Sequence, residues 1–259
     1  MIRRAGVSWL RRSLHPCLGW EYRNINHAVY ACILLEVFVA KIIMFQFPGA
    51  CSRVTMTALE EIGLDFEDRA VNLGAVAQLS PEYLALNRKG KVPALSIDGQ
   101  ILTENAAILY FLDRNYPKAA LLPRSDDPIE ANRGLSDLVW CSGTLHPAIR
   151  QIRNPARYTA GDTSGVYADG VKKFTKDCRY MSERLGSAGW WYGEHWSIID
   201  TYLYWTYSTA GKGGFLLQHY PHLVAHAERV RARPSFQKAL AREVASIKRD
   251  GLQVDAASL

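Results

Sequence analysis

Apolar residues fall into two regimes along the chain. Residues 41–46 (KIIMFQ) form a short apolar run that predicts a buried strand, broken by Phe47-Pro48-Gly49-Ala50. Over 51–62 the spacing changes. Val54, Ala58, Leu59 and Ile62 recur at helical intervals, and Gly63 follows where a left-handed C-cap belongs. Phe66, the stretch 69–71 and Leu73 suggest a second strand, and Pro81–Leu86 a short helix. Residues 92–97 and 100–103 are β-type runs joined by Asp98-Gly99, a strong hairpin signal. Ile108, Phe111 and Leu112 then mark one face of a helix over 106–115 that ends before Pro117. The order is βαβ, a short helix, then ββα. This makes a four-stranded mixed sheet with helices packed on it.

Residues 117–128 hold Pro117, Pro123, Pro128 and a polar Arg-Ser-Asp-Asp stretch, and read as a linker. Beyond it the period is helical throughout. Helices are expected over about 129–151, 164–186, 198–210, 221–232 and 235–249. The domains predicted are an α/β unit over 39–118 and an all-helical unit over 129–250, behind a poorly ordered extension of residues 1–38.

Charge and composition narrow the function. The net charge is +6, and the five arginines of residues 1–38 against Glu21 and Glu36 supply half of it. The remainder lacks the clustered basic face that nucleic-acid binding needs, so no nucleic-acid partner is expected. The most apolar stretch, 28–47, is interrupted by Glu36 and Lys41, which argues against a membrane span. The five cysteines (Cys17, Cys32, Cys51, Cys141, Cys178) form neither a CxxC pair nor a metal-ligand spacing. Free thiols in a reducing, cytoplasmic setting and no metal site are expected.

The candidate chemistry lies at the joints of the first domain. Cys51 and Ser52 open the first helix, where unpaired N–H groups and the dipole favour a thiolate. Ser52 could donate to that thiolate or simply cap the helix. Val92-Pro93 opens a strand, and a cis bond there would turn the Val92 backbone outward toward an extended ligand. Asn105 suits an N-cap, and the helix start beside it suits a carboxylate. Glu104 could meet an ammonium group, so the pair could hold an amino-acid head or merely cap. Ser197-Ile-Ile-Asp200 is a capping box, a folding element. The aromatics Tyr202, Tyr204, Trp205 and Tyr207 read as core. His219, His222 and His226 have no acidic or sulfur partner at suitable spacing and are expected on helix surfaces.

The ordered set resembles a known family. The Pro-Gly-Ala-Cys51-Ser52 turn comes first, then Asn87-Arg-Lys-Gly-Lys-Val92-Pro93-Ala-Leu and Leu-Thr-Glu104-Asn105. Leu-Leu-Pro123, Leu145-His146 and Ser197-Ile-Ile-Asp200 with Tyr202-Leu203 complete it. It is similar to the cytosolic glutathione transferases, most closely the bacterial beta class, over about 41–247. The resemblance implies a thioredoxin-like glutathione-binding domain and a helical domain holding a hydrophobic electrophile. It implies Cys51 beside the glutathione sulfur, Val92 paired with the cysteinyl part, Glu104 and Asn105 on the γ-glutamyl end, and His146 reaching in from the second domain. Asn105 stands where the family usually has Ser. Glutathione would be a co-substrate, no other cofactor is implied, and the assembly would be a homodimer. Conjugation leads. Thiol-disulfide exchange at Cys51, glutathione-dependent ether cleavage and non-catalytic binding stand beside it.

Overall fold

The computed structural model describes residues 40–259, and the extension expected over 1–38 lies outside them. Strands β1 (Ile42–Gln46), β2 (Glu67–Ala70), β3 (Ala94–Ile97) and β4 (Gln100–Thr103) form one sheet in the order β2-β1-β3-β4. β1 and β2 are parallel, with Ile43 opposite Glu67, and the other pairs are antiparallel, with Met44 opposite Leu95. Parallel strands need a crossover, and α1 (Ser52–Ile62) supplies it. The hairpin turn has φ of 50° at Asp98 and 83° at Gly99, the double positive φ that the Asp-Gly pair favours.

Side chains of β1 alternate between two cores. Ile42 and Met44 pack with Val54, Ala58 and Leu59 of α1 and with Ile108, Leu109 and Leu112 of α3 (Asn105–Asn115). Phe45 faces the other way, onto Val71, Tyr83, Val92 and Ala94, where α2 (Pro81–Leu86) lies. Burial of each large apolar side chain in these cores contributes about 1.5–3 kcal/mol. Gly63 ends α1 at φ 79°, donating to Leu59 O at 3.1 Å, as the sequence predicts.

The helix expected over 129–151 is instead four pieces. A 3₁₀ turn, Glu130–Asn132, leads into α4 (Arg133–Trp140), and a π-helical turn, Cys141–Leu145, leads into α5 (His146–Arg153). Pro147 explains the widened turn. It lacks an N–H, and its ring would meet the carbonyl four residues back in a regular helix. α6 (Ser164–Ser187), α7 (Ile198–Gly211), α8 (Pro221–Arg231) and α9 (Pro234–Arg249) follow the expected pattern within two residues. α7 is buried nearly all round, with Tyr202, Tyr204, Trp205 and Tyr207 in the core as expected. Beyond α9 the chain folds back. Leu252 and Leu259 are buried, and the Leu259 side chain packs against Gly49 in the β1–α1 turn.

One histidine departs from expectation. His219 and His222 are exposed, but His226 is completely buried on α8. Its Nε2 lies 2.9 Å from Asp200 Oδ1 and its Nδ1 2.9 Å from the Tyr207 hydroxyl. The capping-box carboxylate is thus its acidic partner, 26 residues away in sequence but adjacent in space.

Candidate active site

Cys51 precedes α1 with helical backbone angles, φ −61° and ψ −12°, and its side chain makes no capping bond. The thiol is buried and points at the Val92 carbonyl, with Sγ 3.7 Å from that oxygen. The acidity expected from the helix terminus is overturned. Burial pushes the Cys51 thiol up to about 12, against the smaller lowering effects of Arg150 and the local backbone. Removing an anion from water here outweighs the partial charge of the helix end.

Ser52 does not face the thiol. Its hydroxyl donates to Phe47 O and accepts from Phe47 N–H, both at 3.2 Å, and it is completely buried within the β1–α1 turn. Its part is to hold the turn that carries Cys51.

Five of the expected residues converge with Cys51 on one cavity of about 100 Å³: Val92, Pro93, Glu104, Asn105 and His146. Ser52 does not line it. The Val92-Pro93 bond is cis. Asn105 is the first residue of α3 rather than its N-cap, correcting the capping expectation. Its side chain is buried and spent on the protein: Oδ1 accepts from Thr55 Oγ1 at 2.5 Å, and Nδ2 donates to Cys51 O at 3.0 Å. Asn105 therefore ties α3 to α1 behind the cavity. Glu104 takes the cap position with φ 72°, a left-handed conformation that costs a non-glycine residue energy. Its carboxylate, half exposed, pairs with Lys89 at 3.0 Å.

The helical domain closes the cavity from above. His146 is the first residue of α5, and its ring meets Trp205 edge-on at 4.5 Å. Trp205 in turn donates its indole N–H to Gly49 O at 3.1 Å, linking the two domains behind Cys51. Burial, with the positive charges of Arg150 and Lys91 nearby, holds the His146 pKa down to about 3. The imidazole is therefore neutral at physiological pH. A depressed histidine pKa means that the unfolded chain binds the proton first, so stability is full above the ordinary histidine range and falls as pH drops toward 3. Replacing His146 by Asn should flatten that acid limb of a melting-temperature profile. An unchanged profile would show that His146 is not the group responsible.

Sequence reasoning missed Lys91, Arg150 and Tyr202, which also line the cavity. Arg150 had a usable signal, since it lies four residues after His146 and so on the same helix face. Tyr202 read as core, and it is core as well as lining.

Comparison with known proteins decides the family. Residues 40–114 match the model of the glutathione S-transferase N-terminal domain, and 166–243 that of a glutathione S-transferase C-terminal domain. The chain is 31% identical over 203 residues to glutathione S-transferase GstA of Escherichia coli O157:H7, covering 77% of this chain and 98% of that one. This chain belongs to the glutathione transferase family. It is also 32% identical over 188 residues to maleylacetoacetate isomerase of Pseudomonas aeruginosa, covering 70% of this chain and 87% of that protein. A sphingomonad glutathione S-transferase solved with glutathione superposes with a TM-score of 0.69 at 31% identity, covering 78% of this chain and 98% of that one. A bacterial beta-class enzyme of Sphingomonas chungbukensis does so with 0.69 at 30% identity, over the same shares of the two chains. The beta-class resemblance and the two-part fold are thereby established for this transferase chain.

Proposed function

We propose that this protein binds glutathione in the Cys51 cavity and conjugates it through its thiolate to a hydrophobic electrophile, acting as a homodimer in the cytoplasm. The observation that carries the reading is the convergence of Val92, Glu104, Cys51 and His146 on one cavity between the two domains. The Val92 backbone offers strand-like pairing to a peptide ligand. Glu104 offers a carboxylate to an α-ammonium group, and the start of α3 offers N–H groups to an α-carboxylate. Glutathione carries all three features, and its thiol would then fall near Cys51 and His146. The rate gain would come from holding an ionised thiol beside the electrophile.

Calorimetric titration with glutathione, run beside conjugation assays on a panel of apolar electrophiles, tests this reading. Saturable binding with turnover is expected. Binding without turnover on any electrophile would leave only a binding protein. The relative named maleylacetoacetate isomerase favours a second reading, isomerisation of a diacid of the maleylacetoacetate kind. Turnover of such a diacid with no net consumption of glutathione would select it.

The buried, weakly acidic thiol argues against covalent redox work by Cys51. In the free protein, Cys51 should resist iodoacetamide at neutral pH, and Cys51→Ala should lower conjugation by less than about tenfold, roughly 1.4 kcal/mol. Rapid alkylation of Cys51, or a mixed disulfide with oxidised glutathione found by mass spectrometry, would restore the redox role. Glu104→Gly separates binding from folding. It removes both the carboxylate and the left-handed strain, so KM for glutathione should rise at least about tenfold with no loss of thermal stability. An unchanged KM would take the ammonium contact away from Glu104.

A further inference from the structure

We propose that the guanidinium of Arg150 supplies the positive charge that keeps the bound glutathione thiol ionised. The proposal rests on the glutathione reading above and assigns the charge within it. Five groups that could do this work are unsuited to it. The Ser52 hydroxyl is committed to Phe47. The Cys51 thiol points at Val92 O and holds its own proton. His146 is neutral, so it brings no charge. Lys89 is paired with Glu104 at the cavity mouth. Lys91 lines the cavity but is exposed, where water screens its charge.

Among the described residues lining the cavity, Arg150 is the remaining cation. It sits one turn along α5 from His146, half-buried, and lines the same cavity as Cys51 and Tyr202. Its side chain has no hydrogen-bond or ion-pair partner among the described residues, so no carboxylate of those residues neutralises it. An arginine stays charged at any pH the protein survives. Its charge is also the leading electrostatic influence on the Cys51 sulfur, and it acts on His146 and Tyr202 as well. A sulfur bound beside Cys51 would experience the same field. Charge within the cavity is effective because its walls are protein rather than water. The groups facing the bound thiol are thus Cys51 from α1, Tyr202 from α7, His146 and Arg150 from α5, and Lys91 and the Lys89–Glu104 pair from the first domain.

The step is an ionisation followed by substitution. The S–H bond of glutathione breaks heterolytically, the proton passes to solvent, and the electron pair stays on sulfur opposite the guanidinium. That pair then forms the bond to the electrophilic carbon as the leaving group departs with its own pair.

The test is the pH titration of the thiolate ultraviolet absorption of glutathione bound to the full chain, for wild type, Arg150→Gln, Arg150→Met and Arg150→Lys. The glutamine and methionine variants should raise the pKa of the bound thiol by about one unit or more, a tenfold loss of thiolate below it, while Arg150→Lys keeps most of the wild-type value. Affinity for S-methylglutathione, which has no ionisable thiol, should change less than about threefold, while kcat falls with the thiolate fraction. Methionine retains an apolar stem, so a folded variant without charge is available should glutamine disturb α5. An unmoved thiol pKa in both neutral variants overturns the proposal. So does a loss of S-methylglutathione affinity with the thiol pKa unmoved, which would make Arg150 an anchor for a glutathione carboxylate. Wild type that binds neither compound would defeat the glutathione reading itself, and the proposal with it.

Discussion

Asp200→Ala should lower the unfolding free energy by about 3–5 kcal/mol, the range for removing one member of a buried charged network. The carboxylate is completely buried and serves four donors. Oδ2 accepts from Ser197 N–H at 2.8 Å and from the Ser197 hydroxyl at 3.0 Å. Oδ1 accepts from Trp191 N–H at 2.7 Å and from His226 Nε2 at 2.9 Å. Because the carboxylate only accepts, His226 must carry its proton on Nε2, which leaves Nδ1 to accept from the Tyr207 hydroxyl. An ordinary helix cap contributes about 0.5–2 kcal/mol. The difference here is that the same side chain fixes the chain before α7 at Trp191 and holds α8 through His226. Alanine would leave several buried donors unpaired at once. Urea unfolding of Asp200→Ala and Asp200→Asn measures this, with asparagine intermediate because its amide nitrogen cannot accept. A loss of only about 1 kcal/mol for alanine would mean that the residue is a cap and nothing more.

That network shows where the sequence was readable. The Ser197–Asp200 box is local, its two partners lie three residues apart, and it was legible as a helix start. The His226 contact spans the helical domain, and no spacing rule connects it to Asp200. The same division runs through the candidate site. The element order and the mixed four-stranded sheet followed from period and from Asp98-Gly99, because strand alternation and turn chemistry are written within a few residues. The positions of Val92, Glu104 and His146 came from motif order. The helix terminus beside Cys51 is a local cue, whereas the burial that opposes ionisation of its thiol is set by the tertiary packing around it. The cap of α3 fell on Glu104 rather than Asn105, since a positive φ at a glutamate has no sequence signature. Arg150 shares a helix face with His146, four residues before it, and that local signal went unused because His146 itself rested on motif order alone.

Arg53→Met should destabilise the protein by about 3–5 kcal/mol, and the double replacement Arg53→Met with Glu243→Leu should recover most of that loss. Arg53 follows Ser52 in the first turn of α1 and is almost fully buried, as is Glu243 on α9. Its Nε donates to Glu243 Oε2 at 2.8 Å, its Nη2 reaches the same oxygen, and its Nη1 donates to Leu259 O at 3.0 Å. The guanidinium also lies over the Phe236 ring, 5.6 Å from its centre. Burial raises the pKa of Glu243, and the charge and hydrogen bonds of Arg53 oppose that rise. Removing the arginine alone leaves a carboxylate in an apolar interior with only the Gly49 backbone and the charge of Lys212 to offset its desolvation. Removing both charges leaves apolar volume, which such a site tolerates well. More exposed links between the same helices, Arg233–Glu61 at 2.7 Å and Arg242–Glu60 at 2.5 Å, contribute much less. The pair also bears on the cavity. Arg53 holds Leu259 by its carbonyl, Leu259 packs against Gly49, and Gly49 lies two residues before Cys51. Arg53→Met should therefore raise KM for glutathione even where the protein remains folded, and the double variant should restore stability more fully than KM, because Leu259 has still lost its donor. A double-mutant cycle in urea gives the coupling, and steady-state kinetics on the same proteins gives the rest. If Arg53→Met alone proved neutral in stability, the buried pair would not be what fastens α9 to α1.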